Sequence, residues 1–140
     1  MRNLLSKSQN LNYWIFQANP QNIDLSKKYD DFSVRERKSE LNPNDLIWFR
    51  LTGNNNGFYA IGRILTHAEP RKNLFGNWTC VYEIQKLIES PLFIKEIKDH
   101  PLLGKEKNIT GRQYNNQKIN YKIHQNLINL TKNRLKDFEI

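Results

Sequence analysis

The stretch Leu46-Ile-Trp-Phe-Arg-Leu51, Thr52-Gly-Asn-Asn-Asn-Gly57, Phe58-Tyr-Ala-Ile-Gly-Arg-Ile64 decides how this chain is read. Two apolar runs, rich in aromatic and β-branched residues, flank a block of turn chemistry, which is the sequence signature of a β-hairpin. Glycine and asparagine reach the positive-φ conformations such a loop needs at little steric cost. The loop also offers backbone N–H groups, and Arg50 and Arg63 lie on the arms. The hairpin is expected to be the central ribbon of a small barrel and one wall of a binding site.

Upstream, Tyr13-Trp-Ile-Phe16 is strongly strand-forming and stops at Asn19-Pro20, since proline cannot continue a ladder. It lacks polar alternation, which predicts a strand covered on both faces. Residues 1–11 form a flexible arm in this reading. Asn22 to Tyr29 reads as a short helix capped by Asp24. Phe32-Ser33-Val34 reads as a brief strand leading into Arg35-Glu36-Arg37-Lys38, and Asn42-Pro43-Asn44-Asp45 as a tight turn.

Downstream, the second arm continues through Leu65 to Pro70, and Arg71 to Asn77 is a loop carrying Leu74 and Phe75. Trp78 to Leu87 alternates like a long strand. Pro91 is placed to open a helix with Leu92, Phe93 and Ile97 on one face, and Pro101 to Gly111 reads as loop. Ile119, Ile123, Leu127, Leu130 and Phe138, with Leu135 nearby, mark an amphipathic helix capped by Asn120. Strands dominate and the best helices come late. The predicted fold is α+β, a single domain over residues 12–140. It is a small β-barrel of about five to six strands with peripheral helices and an amphipathic C-terminal helix.

Composition narrows the function. The 140 residues hold 38% hydrophobic and 26% charged side chains, ordinary for a globular domain. Twenty-two basic residues against fourteen acids leave a formal charge of +8, a balance that suits polyanions and also serves solubility. Leu102 to Lys136 carries eight basic residues and one acid, Glu106, read either as a solvated face or as a contact surface. The single cysteine, Cys80, excludes an internal disulfide and fits a reducing cytoplasm. No apolar run approaches the ~20 residues that span a bilayer, and Met1 to Asn10 has no signal-peptide core, so no membrane contact is expected.

Catalytic patterns are missing. His67, His100 and His124 are isolated from metal-ligand spacing, and Ser33 and Ser39 lack a nucleophile elbow. Thr52 to Gly57 lacks the lysine and hydroxyl that would follow a phosphate-binding loop. Glu36, Glu40 and Asp45 are close in sequence, but nothing sets two of them around a substrate. The expectation is a non-enzymatic binding domain without cofactor or metal. Sixteen aromatic residues interleave with Arg and Lys, a combination suited to stacking on exposed bases and neutralising phosphates. Trp14, Phe16, Trp48 and Tyr82 read as core, whereas Phe32, Phe75 and Trp78 stand at strand edges or in loops.

The run Tyr13-Trp-Ile-Phe-Gln-Ala-Asn-Pro20 resembles the opening of EVE domains, members of the PUA-like superfamily. Phe32-Ser-Val34, Asn42-Pro-Asn-Asp-Leu-Ile-Trp-Phe-Arg50, Gly53, Gly57 and Ala60-Ile-Gly62 are similar to the segments that follow there, and Pro91-Leu92, Pro101-Leu102 and Gly111-Arg112 with Ile119 to its C-terminal half. The hairpin is also similar to that of YTH domains. The resemblance implies a reader of modified cytosine (methyl- or hydroxymethylcytosine) in duplex DNA. Such a reader flips the base into an aromatic pocket and serves as the specificity module of a modification-dependent restriction system beside a nuclease or NTPase partner. RNA, or nucleic acid containing N6-methyladenine, is the alternative ligand.

Carried onto this chain, the resemblance places Gln17 and Asn19 at the base edge and Phe32 as one cage wall, where the family more often has tryptophan. Phe75 or Trp78 would be the other wall. Ser33, Val34, Arg50, Thr52, Gly53 and Asn54 would complete the pocket or its rim, and Arg112 would contact the sugar-phosphate backbone. The basic side chains of Lys27, Lys28, Arg35, Arg37, Arg71 and Lys72 would supply further phosphate contacts, and the domain is expected to be monomeric.

Overall fold

The computed structural model describes residues 11–35, 37–70, 78–111 and 115–139. The hairpin forms as its turn chemistry dictates. β3 (Leu46–Leu51) pairs antiparallel with β4 (Gly57–Ile64), and Gly53 takes φ 99° in the connecting loop. β1 (Tyr13–Ala18) lies parallel to β3, in register from Tyr13 opposite Leu46 to Ala18 opposite Leu51. Its other edge pairs antiparallel with β7 (Asn116–Ile119). β6 (Trp78–Phe93) spans the opposite half, pairing with β4 and with β2 (Tyr29–Val34). The path runs β2-β6-β4-β3-β1-β7, and the short strands β5 (Glu69–Pro70) and β8 (Leu135–Asp137) both add to β6. The expected barrel is thus a curled mixed sheet with six strands on its continuous path.

Alternation along the central strands divides the core in two. Trp14, Phe16, Ile47, Phe49, Ala60 and Tyr82 fill one cluster, while Tyr13, Ile15, Leu46, Trp48 and Ile61 join the helices in the other. β1 is therefore covered on both faces, as its unbroken apolar run predicts. Gly62 is required where β4 crosses β6, because a Cβ there would lie 2.5 Å from Glu83 O and 2.8 Å from Phe49 Cε2. The helices are α1 (Ile94–Ile97), α2 (Lys107–Thr110) and α3 (Tyr121–Thr131). Asn120 caps α3 as expected, its Oδ1 accepting from Ile123 N–H at 2.9 Å.

Four local expectations give way. Asn22 to Tyr29 is not a helix: Asp24 Oδ1 accepts from both the backbone and the hydroxyl of Ser26, an Asx turn that competes with a helical first turn. Pro91 does not open a helix but lies within β6. It sits between Leu87 and Leu92, where the β4 ladder is interrupted, so its missing N–H costs no pairing. Residues 101–111 are not simple loop, since a 3₁₀ turn (Leu103–Lys105) and α2 occupy them. The C-terminal apolar stripe is not one helix: α3 ends at Thr131, and the chain returns as β8 against Lys86 to Ile88. Leu135 and Phe138 then pack on opposite clusters. The expected N-terminal arm lies outside the described residues apart from Leu11. Among the described residues no helix is long and apolar enough to cross a membrane.

Candidate functional site

Three strand ends converge on one cavity. Because β1 and β3 are parallel, both release their chains at the same rim, where Thr52 N–H donates to Ala18 O at 3.0 Å. β2 and β7 stand at the two ends of the sheet path. A side-chain contact spans that seam, Arg35 N–H donating to Asn116 Oδ1 at 3.0 Å. Gln17 N–H donates to Asn115 O at 2.9 Å and ties the seam to β1.

A cavity of about 510 Å³ occupies this junction. Gln17, Ala18 and Asn19 reach it from the end of β1, and Phe32 and Ser33 from β2 together with Asp30 and Asp31. Thr52, Arg35 and Asn115 complete the lining beside Asn22 and Ile23. Its size suits a single planar heterocycle with its sugar. Phe32 is only 7% exposed and stacks on Phe16 with ring centroids 4.5 Å apart and planes 22° apart. Phe32 is therefore mostly core, and only a small part of the residue borders the cavity.

The polar lining is rich in acceptors. Gln17 Oε1 and Asn115 Oδ1 are buried, and neither has a hydrogen-bond partner among the described residues. An unsatisfied buried acceptor costs ~1–3 kcal/mol, and both of these belong to residues that line the cavity. The carboxylates of Asp30 and Asp31 add acceptors. Asp30 also pairs with Lys27 at 3.4 Å, a partly exposed pair of little energetic weight.

A second groove of about 480 Å³ adjoins the first and shares Arg35 with it. Arg37, Lys38, His67 and Trp78 line it, and no described lining residue is acidic. Lys38 Nζ lies 5.4 Å from the Trp78 ring centroid. Arg37 pairs with Glu40 at 3.1 Å; Lys118 reaches the same carboxylate at 3.0 Å and holds its pKa below the usual glutamate range.

The structure brings Gln17, Asn19, Phe32, Ser33 and Thr52 together around the main cavity. Gly53 and Asn54 line a neighbouring depression that shares Asn19 and Thr52 with it. Val34 is 1% exposed and belongs to the core. Trp78 lies in the second groove, opposite Val34 in the ladder. Arg50 stands apart from the cavity: its side chain is buried, with Nε donating to Asn56 Oδ1 at 2.9 Å and Nη1 to Ile109 O at 2.7 Å. Burial lowers its pKa to about 10, so it stays charged at neutral pH while tying the hairpin loop to α2. Among the basic candidates, Arg35 lines both hollows and Lys28 lies over the Tyr29 ring at 5.9 Å. Phe75, Arg71, Lys72 and Arg112 lie outside the described residues.

Asn22, Ile23, Asp30, Asp31 and Asn115 are lining residues that sequence reasoning missed. The paired acids directly before Phe32 and the Asn115-Asn116 pair were the available signals. Two residues of catalytic type, Cys80 and His124, are buried in the core. Burial pushes the Cys80 thiol up to about 12, and His124 is a core residue whose Nδ1 accepts from Trp48 Nε1 at 3.0 Å. Among the described residues no group of His, Cys, Asp or Glu could hold a metal ion.

No protein-family model matches this chain, and no curated protein matches it in sequence. Solved structures do match. A hypothetical protein from Leishmania major superposes with a TM-score of 0.78 at 12% identity, over 91% of this chain and 98% of its own. Human THYN1, solved in complex with DNA containing 5-methylcytosine, gives 0.68 at 8% identity over 86% and 98%. The Toxoplasma CPSF4-YTH domain in apo form gives 0.62 at 14% identity over 95% and 93%. The fold is the PUA-like fold of EVE and YTH domains. At these identities the likeness is one of fold.

Proposed function

We propose that the domain reads a modified base in nucleic acid, and specifically a cytosine carrying a methyl or hydroxymethyl group, flipped from duplex DNA into the cavity between β1, β2 and β7. The observation that carries this reading is the pair of buried, unpartnered amide oxygens at Gln17 and Asn115. Cytosine presents an exocyclic amino group with two N–H donors, and 5-modification leaves both intact. N6-methyladenine retains one. An acceptor-lined cavity therefore suits modified cytosine better, while Ile23, Ala18 and Phe32 offer apolar contact to the added carbon.

Extruding a base costs a few kcal/mol, which stacking at ~1–3 kcal/mol and edge hydrogen bonds must offset. One methyl contributes only ~1 kcal/mol, so the preference over plain cytosine is about fivefold to tenfold. Phosphates are met by Arg35, Arg37 and the lysines around β2, which makes affinity fall with salt. The domain does no chemistry itself; in a modification-dependent restriction system it supplies specificity, and a nuclease or NTPase partner supplies cleavage.

The experiment is titration, at fixed salt, of duplexes carrying methylcytosine, hydroxymethylcytosine, N6-methyladenine or no modification, with methylated RNA in competition. Equal affinity for all duplexes defeats the proposal; preference for methylated RNA transfers it to the YTH-like alternative. Gln17→Met sharpens the test. It removes an acceptor that has no partner among the described residues, so folding stability should hold or rise while affinity for the modified duplex falls about tenfold. A loss of stability with unchanged affinity would mark Gln17 as structural.

A further inference from the structure

We propose that the second groove is a binding site for the nucleotide that flanks the flipped base, with its base stacked on Trp78 and its phosphate held by Arg35 and Lys38. The inference rests on the main cavity being the base pocket. The two hollows are adjacent and share one side chain, Arg35. Among the described residues its exposed guanidinium has no ion-pair partner, and its backbone is pinned by Asn116 at the seam. It therefore stands where the phosphate linking two consecutive nucleotides would pass.

The ladder sets the spacing. Phe32 is opposite Cys80 and Val34 opposite Trp78, so Phe32 and Trp78 lie two residues apart along the β2/β6 pair. That is about 7 Å, twice the ~3.4 Å rise of stacked bases. A strand with one base extruded is opened by such an interval.

The two hollows also differ in charge. The main cavity holds Asp30 and Asp31 and disfavours a phosphate, whereas the groove offers Arg35 and Lys38, beside an Arg37 already paired with Glu40, and no described lining residue there is acidic. The Lys38 ammonium already lies over the Trp78 ring. A base stacking on that ring displaces the ammonium toward its own phosphate, replacing a cation–π contact with a charge pair. Such stacking accepts any base, so the groove adds affinity and register without sequence preference.

The closing experiment uses the whole chain and duplexes containing methylcytosine, with the neighbouring nucleotide on either side intact or abasic. On one side, removing the flanking base should weaken wild-type binding about tenfold and leave Trp78→Ala binding unchanged. Fluorescence gives a second measurement: Trp14 and Trp48 are fully buried, so quenching on binding reports Trp78, and Trp78→Phe should abolish it. No abasic effect on either side, an equal effect in both proteins, or emission unaltered by the intact duplex overturns the proposal. Loss of methyl preference with the abasic effect retained would instead count against the base pocket alone.

Discussion

Asp45→Ala is expected to lower folding stability by about 3–5 kcal/mol, the loss typical of breaking a buried charged network. Asp45 is fully buried, and its carboxylate gathers three donors, two from the start of β1 and one from its own turn before β3. Oδ1 accepts from Asn12 N–H at 2.9 Å, while Oδ2 accepts from Asn42 N–H at 2.9 Å and from Trp14 Nε1 at 3.0 Å. Truncation strands all three where water enters poorly, and each stranded donor costs ~1–3 kcal/mol. Against a typical domain stability of ~5–15 kcal/mol this is a large share. Urea denaturation should show a lower midpoint with an unchanged slope. Asp45→Asn should also destabilise, because an amide NH₂ must then face an N–H donor. A change under ~1 kcal/mol for Asp45→Ala would show that the network does not hold the start of β1 to the turn before β3.

That network marks the limit of what local sequence reveals. The Asn42 to Asp45 turn was legible, and Asn44 takes φ 75° there, a conformation asparagine tolerates. Its tie to Trp14 was not, because no local pattern connects residues thirty positions apart. The hairpin and β1 were legible because turn chemistry and unbroken apolar runs are local properties. β7, with the polar sequence Asn-Gln-Lys-Ile, and β8 carry no such pattern; they are strands because β1 and β6 offer edges to pair with. Asp24 satisfied the rule for a helix cap and also for an Asx turn. With few apolar residues to bury between Asn22 and Tyr29, the turn prevailed.

The site divides in the same way. Gln17, Asn19, Phe32, Ser33 and Thr52 were named from motif resemblance and meet at one cavity. Asn115 belongs there only because the sheet curls until β7 faces the end of β2. Arg50 reads in sequence as a pocket or rim residue on a hairpin arm, yet it is 2% exposed and bonded to Ile109 O. Nothing within the hairpin announces that α2 closes over it.

Phe32→Ala should cost about 3–5 kcal/mol of folding stability, the range for truncating a buried phenylalanine, and should abolish measurable preference for a modified base. Both effects arise from one ring. Phe32 contributes to the cluster with Phe16, Val34 and Cys80, and its face-to-face contact with Phe16 leaves the rest of the residue to line the cavity. Lost binding in the alanine variant could therefore reflect a loosened β2, so the conservative change decides. Phe32→Leu keeps most of the apolar volume and should cost only about 1–1.5 kcal/mol in denaturation, yet it removes the aromatic surface. Under the base-reader proposal its affinity for methylcytosine duplex should fall about fivefold to tenfold, to the level of the unmodified duplex, since base stacking on an aromatic contributes ~1–3 kcal/mol. Binding to unmodified duplex, held by Arg35 and its basic neighbours, should change little. Equal losses for both duplexes would assign Phe32 to the core alone and leave recognition to the acceptors at Gln17 and Asn115.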